Sequence, residues 1–150
     1  MKNCLICSRI QRIKESRNRY FVKELPSGYV VIGDHQYYHG YSLLLSKTHT
    51  NELHKLGSKK RLQYLKDMAT VSEAVYEAFK PKKLNYELLG NTDEHLHWHI
   101  FPRYPKDPKP NVPIWIVDKS IRSSKKTIPS DKKLKNLKSK LLKELNKLTK

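Results

Sequence analysis

A chain of 150 residues is one domain's worth and long enough to bury a core. Its 31 basic residues outnumber 14 acidic ones for a formal net charge of +17, which favours negatively charged partners (nucleotides, nucleic acid, an anionic membrane surface) without choosing among them. Two cysteines at Cys4 and Cys7 exclude a disulfide framework, no apolar run approaches the ~18 residues of a membrane span, and no signal peptide is read, so the expectation is a cytoplasmic protein.

Residues 3–15 read as a short helix, with Leu5, Ile6, Ile10 and Ile13 near one side. Tyr20–Leu25 and Tyr29–Ile32 read as strands joined through Pro26-Ser27-Gly28, a hairpin signal. Tyr41–Ser46 is a third strand. Thr50 or Asn51 is placed to cap a turn at Glu52–Leu56, and Ser58 to cap a helix over 59–80. The buried stripe expected for that helix is Leu62, Leu65, Ala69, Val75, Tyr76 and Phe79. Leu84–Leu89 is a fourth strand, followed by the polar turn Gly90–Asp93.

The stretch Glu94–Arg103 alternates histidine with apolar residues and reads as a fifth strand. Leu96, Trp98 and Ile100 then face a core, while His95, His97 and His99 face the other way. Short antiparallel strands with one long helix between the third and fourth predict an α+β meander. Five of the eight prolines fall between Pro102 and Pro113, predicting an extended linker, and Ile114–Val117 reads as an edge strand or docking segment. We divide the chain into a domain of residues 1–118 and a tail of 119–150. The tail holds twelve basic and two acidic residues, net +10, and Leu134, Leu137, Leu141, Leu142, Leu145 and Leu148 follow helical spacing. It reads as a basic amphipathic helix packed on the domain or on a partner. Nucleic-acid or anionic-membrane contact is the lesser alternative.

Three imidazoles in a row are hard to explain as packing. An imidazole can attack phosphorus and form a phosphoramidate, provided its far nitrogen is held by an acceptor and donors neutralise the phosphoryl charge. The turn Gly90-Asn91-Thr92 can supply such donors. Asp34 and His39 lie close to the third strand and can reach a ligand, while His35, His39 and His54 are isolated and read as surface or loop residues. Cys4-x-x-Cys7 is open to three readings: a redox pair, half of a zinc site, or apolar filler. A zinc site needs two more ligands, for which His49 and His95 are candidates.

His95-Leu-His97-Trp-His99-Ile-Phe resembles the signature of the histidine triad (HIT) family. Gly40-Tyr-Ser-Leu-Leu-Leu-Ser-Lys-Thr-His49 resembles the family's upstream strand and loop. Asn85–Asn91 and Pro102-Arg103 resemble the flanks in a bacterial branch similar to diadenosine tetraphosphate hydrolases. The resemblance implies a five-stranded antiparallel sheet with helices, a homodimer, and a nucleotide hydrolase or transferase acting at an α-phosphate. A nucleotide-binding or scaffolding module with little catalysis is the alternative. The resemblance also implies His97 as nucleophile, His99 as the contact to phosphate and leaving group, and structural zinc on Cys4, Cys7, His49 and His95. Where the family has a histidine after the strand-opening glycine, this chain has Tyr41. Tyr41, or His39 two residues earlier, is expected to take its place. Asn91 is the expected phosphate ligand, with Asp34 and Tyr41 as further substrate contacts.

Overall fold

The computed structural model describes residues 4–150, so Asn3, the expected start of the first helix, lies outside it. The fold is α+β. Helix α1 (Leu5–Lys14) is followed by strands β1 (Phe21–Glu24), β2 (Gly28–Ile32) and β3 (Ser42–Ser46), then the long helix α2 (Ser58–Phe79). Strands β4 (Lys83–Glu87) and β5 (His97–Arg103), a short helix α3 (Lys119–Arg122) and helix α4 (Asp131–Leu148) complete it. The five strands form one antiparallel sheet in the order β1-β2-β3-β5-β4. This is not the simple meander expected. Helix α2 carries the chain past β3 to the far edge, and β5 returns to fill the gap between β3 and β4.

Period-two alternation fixes what each face holds. Val30, Ile32, Leu44 and Ile100 turn to one side, where α2 and α4 cover them in the main core. The buried residues of α2 include Tyr64, Asp67, Val71, Ala74, Val75 and Phe79, whereas Leu62, Ala69 and Tyr76 of the expected stripe are exposed. Polar groups take core positions because they are satisfied there. The Tyr64 hydroxyl donates to the Leu44 carbonyl at 3.1 Å, and Asp67 accepts from the Ser27 backbone N–H at 2.8 Å and from Gln63 at 2.8 Å. Gly57, not Ser58, is the N-cap residue of α2, and Glu52 precedes the short turn Leu53–Lys55 without a side-chain cap. Leu134, Leu137, Leu141 and Leu145 of α4 join the same core, leaving the lysines outward. No described helix is long and apolar enough to cross a membrane.

The opposite face carries Tyr29, Val31, Leu43, Leu45, His97, His99 and Phe101. Ile6, Ile10 and Ile13 of α1 pack on Tyr29, Val31 and Leu45 at one side. On the other side lies the segment after β5, and a cleft opens between them. The proline-rich linker is not extended: it wraps around the buried Arg103. The guanidinium donates to the carbonyls of Val112 at 2.9 Å and Lys109 at 3.2 Å, to Asn85 at 2.8 Å, and to Asp107 at 3.2 Å. Ile114–Ile116 is a 3₁₀ turn that anchors by burying Ile114 against Tyr38 and Phe101, so it docks and is not a strand. Pro102 is tolerated in β5 because pairing with β3 has already ended at Ile100.

Candidate active site and metal centre

Strand β5 begins two residues later than His95, and this separates the triad into two environments. His95 sits in the lead-in, fully buried, and its Nε2–H donates to the Ser46 carbonyl at 2.8 Å. That bond leaves the Nδ1 lone pair facing Cys4 Sγ at 3.5 Å, Cys7 Sγ at 3.4 Å and His49 Nδ1 at 3.2 Å. His49 Nδ1 lies 3.3 Å from Cys7 Sγ, and all four ligand atoms fall within 4.8 Å of one another. Tetrahedral coordination at ~2.0 Å (N) and ~2.3 Å (S) separates ligand atoms by about 3.3–3.8 Å, so the four residues fit one four-coordinate metal ion. Cys4 also caps α1, its Sγ accepting from the Cys7 backbone N–H at 3.3 Å. An ion there would tie α1 to the sheet beside the cleft.

His97 and His99 share the sheet face with ring centroids 4.6 Å apart. His97 Nδ1 lies 2.6 Å from the His95 carbonyl, which can only accept. In the neutral ring the proton is therefore on Nδ1 and the lone pair on Nε2. His99 Nδ1 lies 2.6 Å from the Tyr41 hydroxyl. Burial, then the charge of His97 and of Arg122, pushes His99 down to about 3, so the ring is neutral at physiological pH. Burial, and next the charge of Asp34, raises the Tyr41 phenol well above its ordinary range, so it keeps its proton. Its hydrogen-bond partner among the described residues is His99 Nδ1, to which we therefore assign the O–H as donor. The His99 proton is then on Nε2.

The Tyr41 ring is clamped for this. It stacks on Phe101 with centroids 4.0 Å apart, and a Cβ at Gly33 would lie 2.2 Å from it. Of the two residues expected to replace the family histidine, Tyr41 reaches the pair. His39 packs against Phe79 and Tyr104 instead.

The cleft holds about 210 Å³. Leu5, Ile6, Val31, Leu43 and Leu45 form an apolar end, and His97 and His99 line it further along. Asp34 lines it too and is held by Arg9 through two hydrogen bonds, one of 2.7 Å between Nη1 and Oδ1. Asn91 lies exposed in its turn, and it is Asp93 from that turn that lines the cleft. Sequence reasoning missed Arg9, His35, Trp115 and Arg122, all of which line it. His35, expected on the surface or in a loop, is a half-buried loop residue whose Nδ1 lies 2.9 Å from the Thr127 hydroxyl. The helical phase of Arg9, next to the buried Ile10, was the one available signal.

Fold and site together define an α+β protein with a paired-imidazole cleft beside a Cys₂His₂ cluster. The chain belongs to the HIT domain family, whose model matches residues 14–106. A curated relative, "Protein hit" of Bacillus subtilis, is 26% identical over 118 residues, covering 70% of this chain and 74% of the relative. A histidine triad protein from Bradyrhizobium japonicum is 26% identical with a TM-score of 0.73, covering 89% of this chain and 94% of that one. The diadenosine triphosphate hydrolase of Plasmodium falciparum shares the fold at 14% identity and a TM-score of 0.63, covering 86% of this chain and 78% of that one.

Proposed function

We propose that this protein is a nucleotide hydrolase or transferase acting at the α-phosphate of a dinucleoside polyphosphate or similar nucleoside phosphate. The observation that carries the proposal is the tautomer of His97, fixed by its own chain so that Nε2 presents a lone pair to the cleft. Nε2 attacks the α-phosphorus, an N–P bond forms, and the P–O bond to the leaving group breaks with its electron pair on oxygen. His99 donates from Nε2 to a phosphoryl or leaving oxygen. Water then attacks phosphorus, the N–P electron pair returns to His97, and the water proton passes to solvent as the nucleoside monophosphate leaves. The apolar end of the cleft suits a base, and Asp34 suits ribose hydroxyls.

Zinc is the metal whose chemistry matches two thiolates and two imidazoles, and four protein ligands make the site structural. Dependence on free thiolates suits a reducing cytoplasm. Exposed Tyr76 and Tyr86, beside the unpaired edge of β4, offer a surface for a second copy in a homodimer. Light scattering tests that state.

Rapid-quench reaction with α-³²P-labelled diadenosine polyphosphate tests the chemistry. An acid-labile label on His97, absent from His97→Ala, is expected. Tight nucleotide binding without label would instead establish a binding module with little catalysis, a reading favoured by Tyr41 standing where the family has histidine.

A further inference from the structure

The segment after Arg103 does more than close the cleft. It brings in a cation. Ile114, fully buried, fixes the start of the segment, and Trp115 follows with its indole edge-on to His99 at 6.0 Å and to Phe101 at 6.1 Å. The indole N–H donates to the Glu87 carboxylate, which sets the ring plane. Over that ring lies the Arg122 guanidinium, 4.3 Å from the centroid. Farther on, the Thr127 carbonyl accepts from the Gln36 N–H at 2.7 Å, pinning the segment on both sides of Arg122. Trp115 and Arg122 lie beyond residue 106, where the family match ends.

The charges in the cleft are unequally committed. Arg9 is neutralised by Asp34. Arg122 has no carboxylate within salt-bridge distance among the described residues, and its one side-chain hydrogen bond is Nε to the Val117 carbonyl at 3.2 Å. Its two terminal NH₂ groups are left for a ligand. Arg122 lines the cleft together with Trp115, whose ring meets His99. The Tyr41 bond leaves His99 a neutral ring whose Nε2–H can stabilise an oxygen but is a poor proton donor. An alkoxide or amine leaving group needs a proton. A phosphoanhydride leaving group needs a cation.

Resting on the nucleotide reading above, we infer that Arg122, held over the Trp115 ring, binds the phosphates of the leaving group and makes this site selective for nucleoside polyphosphates. A guanidinium meets phosphate oxygens through paired, charge-assisted N–H donors, and stacking on an aromatic ring aligns its plane in advance.

The test compares binding of AMP and of the non-hydrolysable α,β-methylene ATP by calorimetry, in the wild-type protein and in Arg122→Gln. The wild type is expected to favour the triphosphate analogue by about tenfold or more, as a charge-assisted pair requires. Arg122→Gln is expected to bring the two affinities within about threefold, with the larger loss falling on the triphosphate analogue. Arg122→Lys should recover part of the preference, since it keeps the charge and loses the fork. A preference that survives in Arg122→Gln, or an equal loss for both ligands, overturns the inference and leaves the nucleotide reading standing. A wild-type protein that binds neither ligand overturns both.

Discussion

Replacing Tyr41 by phenylalanine isolates one hydrogen bond. The ring keeps its 4.0 Å stack on Phe101 and its fit against Gly33, so little apolar contact is lost. What disappears is the 2.6 Å donor to His99 Nδ1. An acceptor left unpaired in a largely desolvated site costs about 1–3 kcal/mol, which for a chain of this length lowers the melting temperature by about 2–4 °C per kcal/mol. Freed of its donor, His99 populates the other tautomer, with Nε2 unprotonated toward the phosphate. If the same 1–3 kcal/mol is lost from the transition state, kcat falls by about 5- to 150-fold. KM should stay within about twofold, because the Tyr41 hydroxyl is spent on His99. The direct assay is ¹⁵N NMR of the imidazoles. Wild-type His99 should show a protonated Nε2 and an unprotonated Nδ1, and Tyr41→Phe a mixture. A wild-type spectrum with the proton on Nδ1 would mean that tyrosine accepts, and the reasoning would be refuted. Wild-type kcat in Tyr41→Phe would refute its catalytic part alone.

Three further outcomes follow from the same geometry. One equivalent of zinc per chain should be found by elemental analysis, and its removal by a chelator, or Cys4→Ser with Cys7→Ser, should speed amide exchange across α1 while β2 and β3 stay protected, since Ile6, Ile10 and Ile13 still pack there. Leu141, fully buried between α4 and the sheet side of the core, should cost about 2–5 kcal/mol on replacement by alanine in urea unfolding, and a loss under ~0.5 kcal/mol would detach the tail from the core. His99, held at about 3 against the ordinary 6.5, binds its proton in the unfolded chain first, so stability is complete above about pH 6.5 and falls as pH drops from there toward 3. The slope due to this group is at most about 1.4 kcal/mol per pH unit, and His99→Gln should flatten it.

What was legible in the sequence was what repeats locally. Alternation in the histidine strand assigned Trp98 and Ile100 to one face and His97 and His99 to the other, and of the six leucines at helical spacing in the tail Leu134, Leu137, Leu141 and Leu145 are buried while Leu142 and Leu148 stay exposed. Pairing order and helix phase were less legible, because both are decided by partners distant in the chain. Asp67 and Tyr64 look like surface residues until Ser27 and the Leu44 carbonyl come to meet them. The Cys₂His₂ set spans residues 4 to 95, and no local spacing joins it. The resemblance of Cys4, Cys7, His49 and His95 to the zinc-containing branch did so.

Arg122 marks the opposite limit. In a segment crowded with lysines, one arginine reads as solvated charge, and nothing within several residues of it suggests a ligand. Its position depends on a chain of distant events: Arg103 gathers the proline-rich linker, Ile114 fills a gap beside Phe101, and Trp115 lands against His99 with its indole N–H on Glu87. Only then does a guanidinium arrive over an aromatic face at the cleft. The imidazole pair proposed for catalysis is written into one strand, whereas the residue proposed to choose the leaving group is brought in by tertiary structure. Changes to Ile114 or Trp115 should therefore alter preference among phosphate-chain lengths before they alter the chemistry at His97.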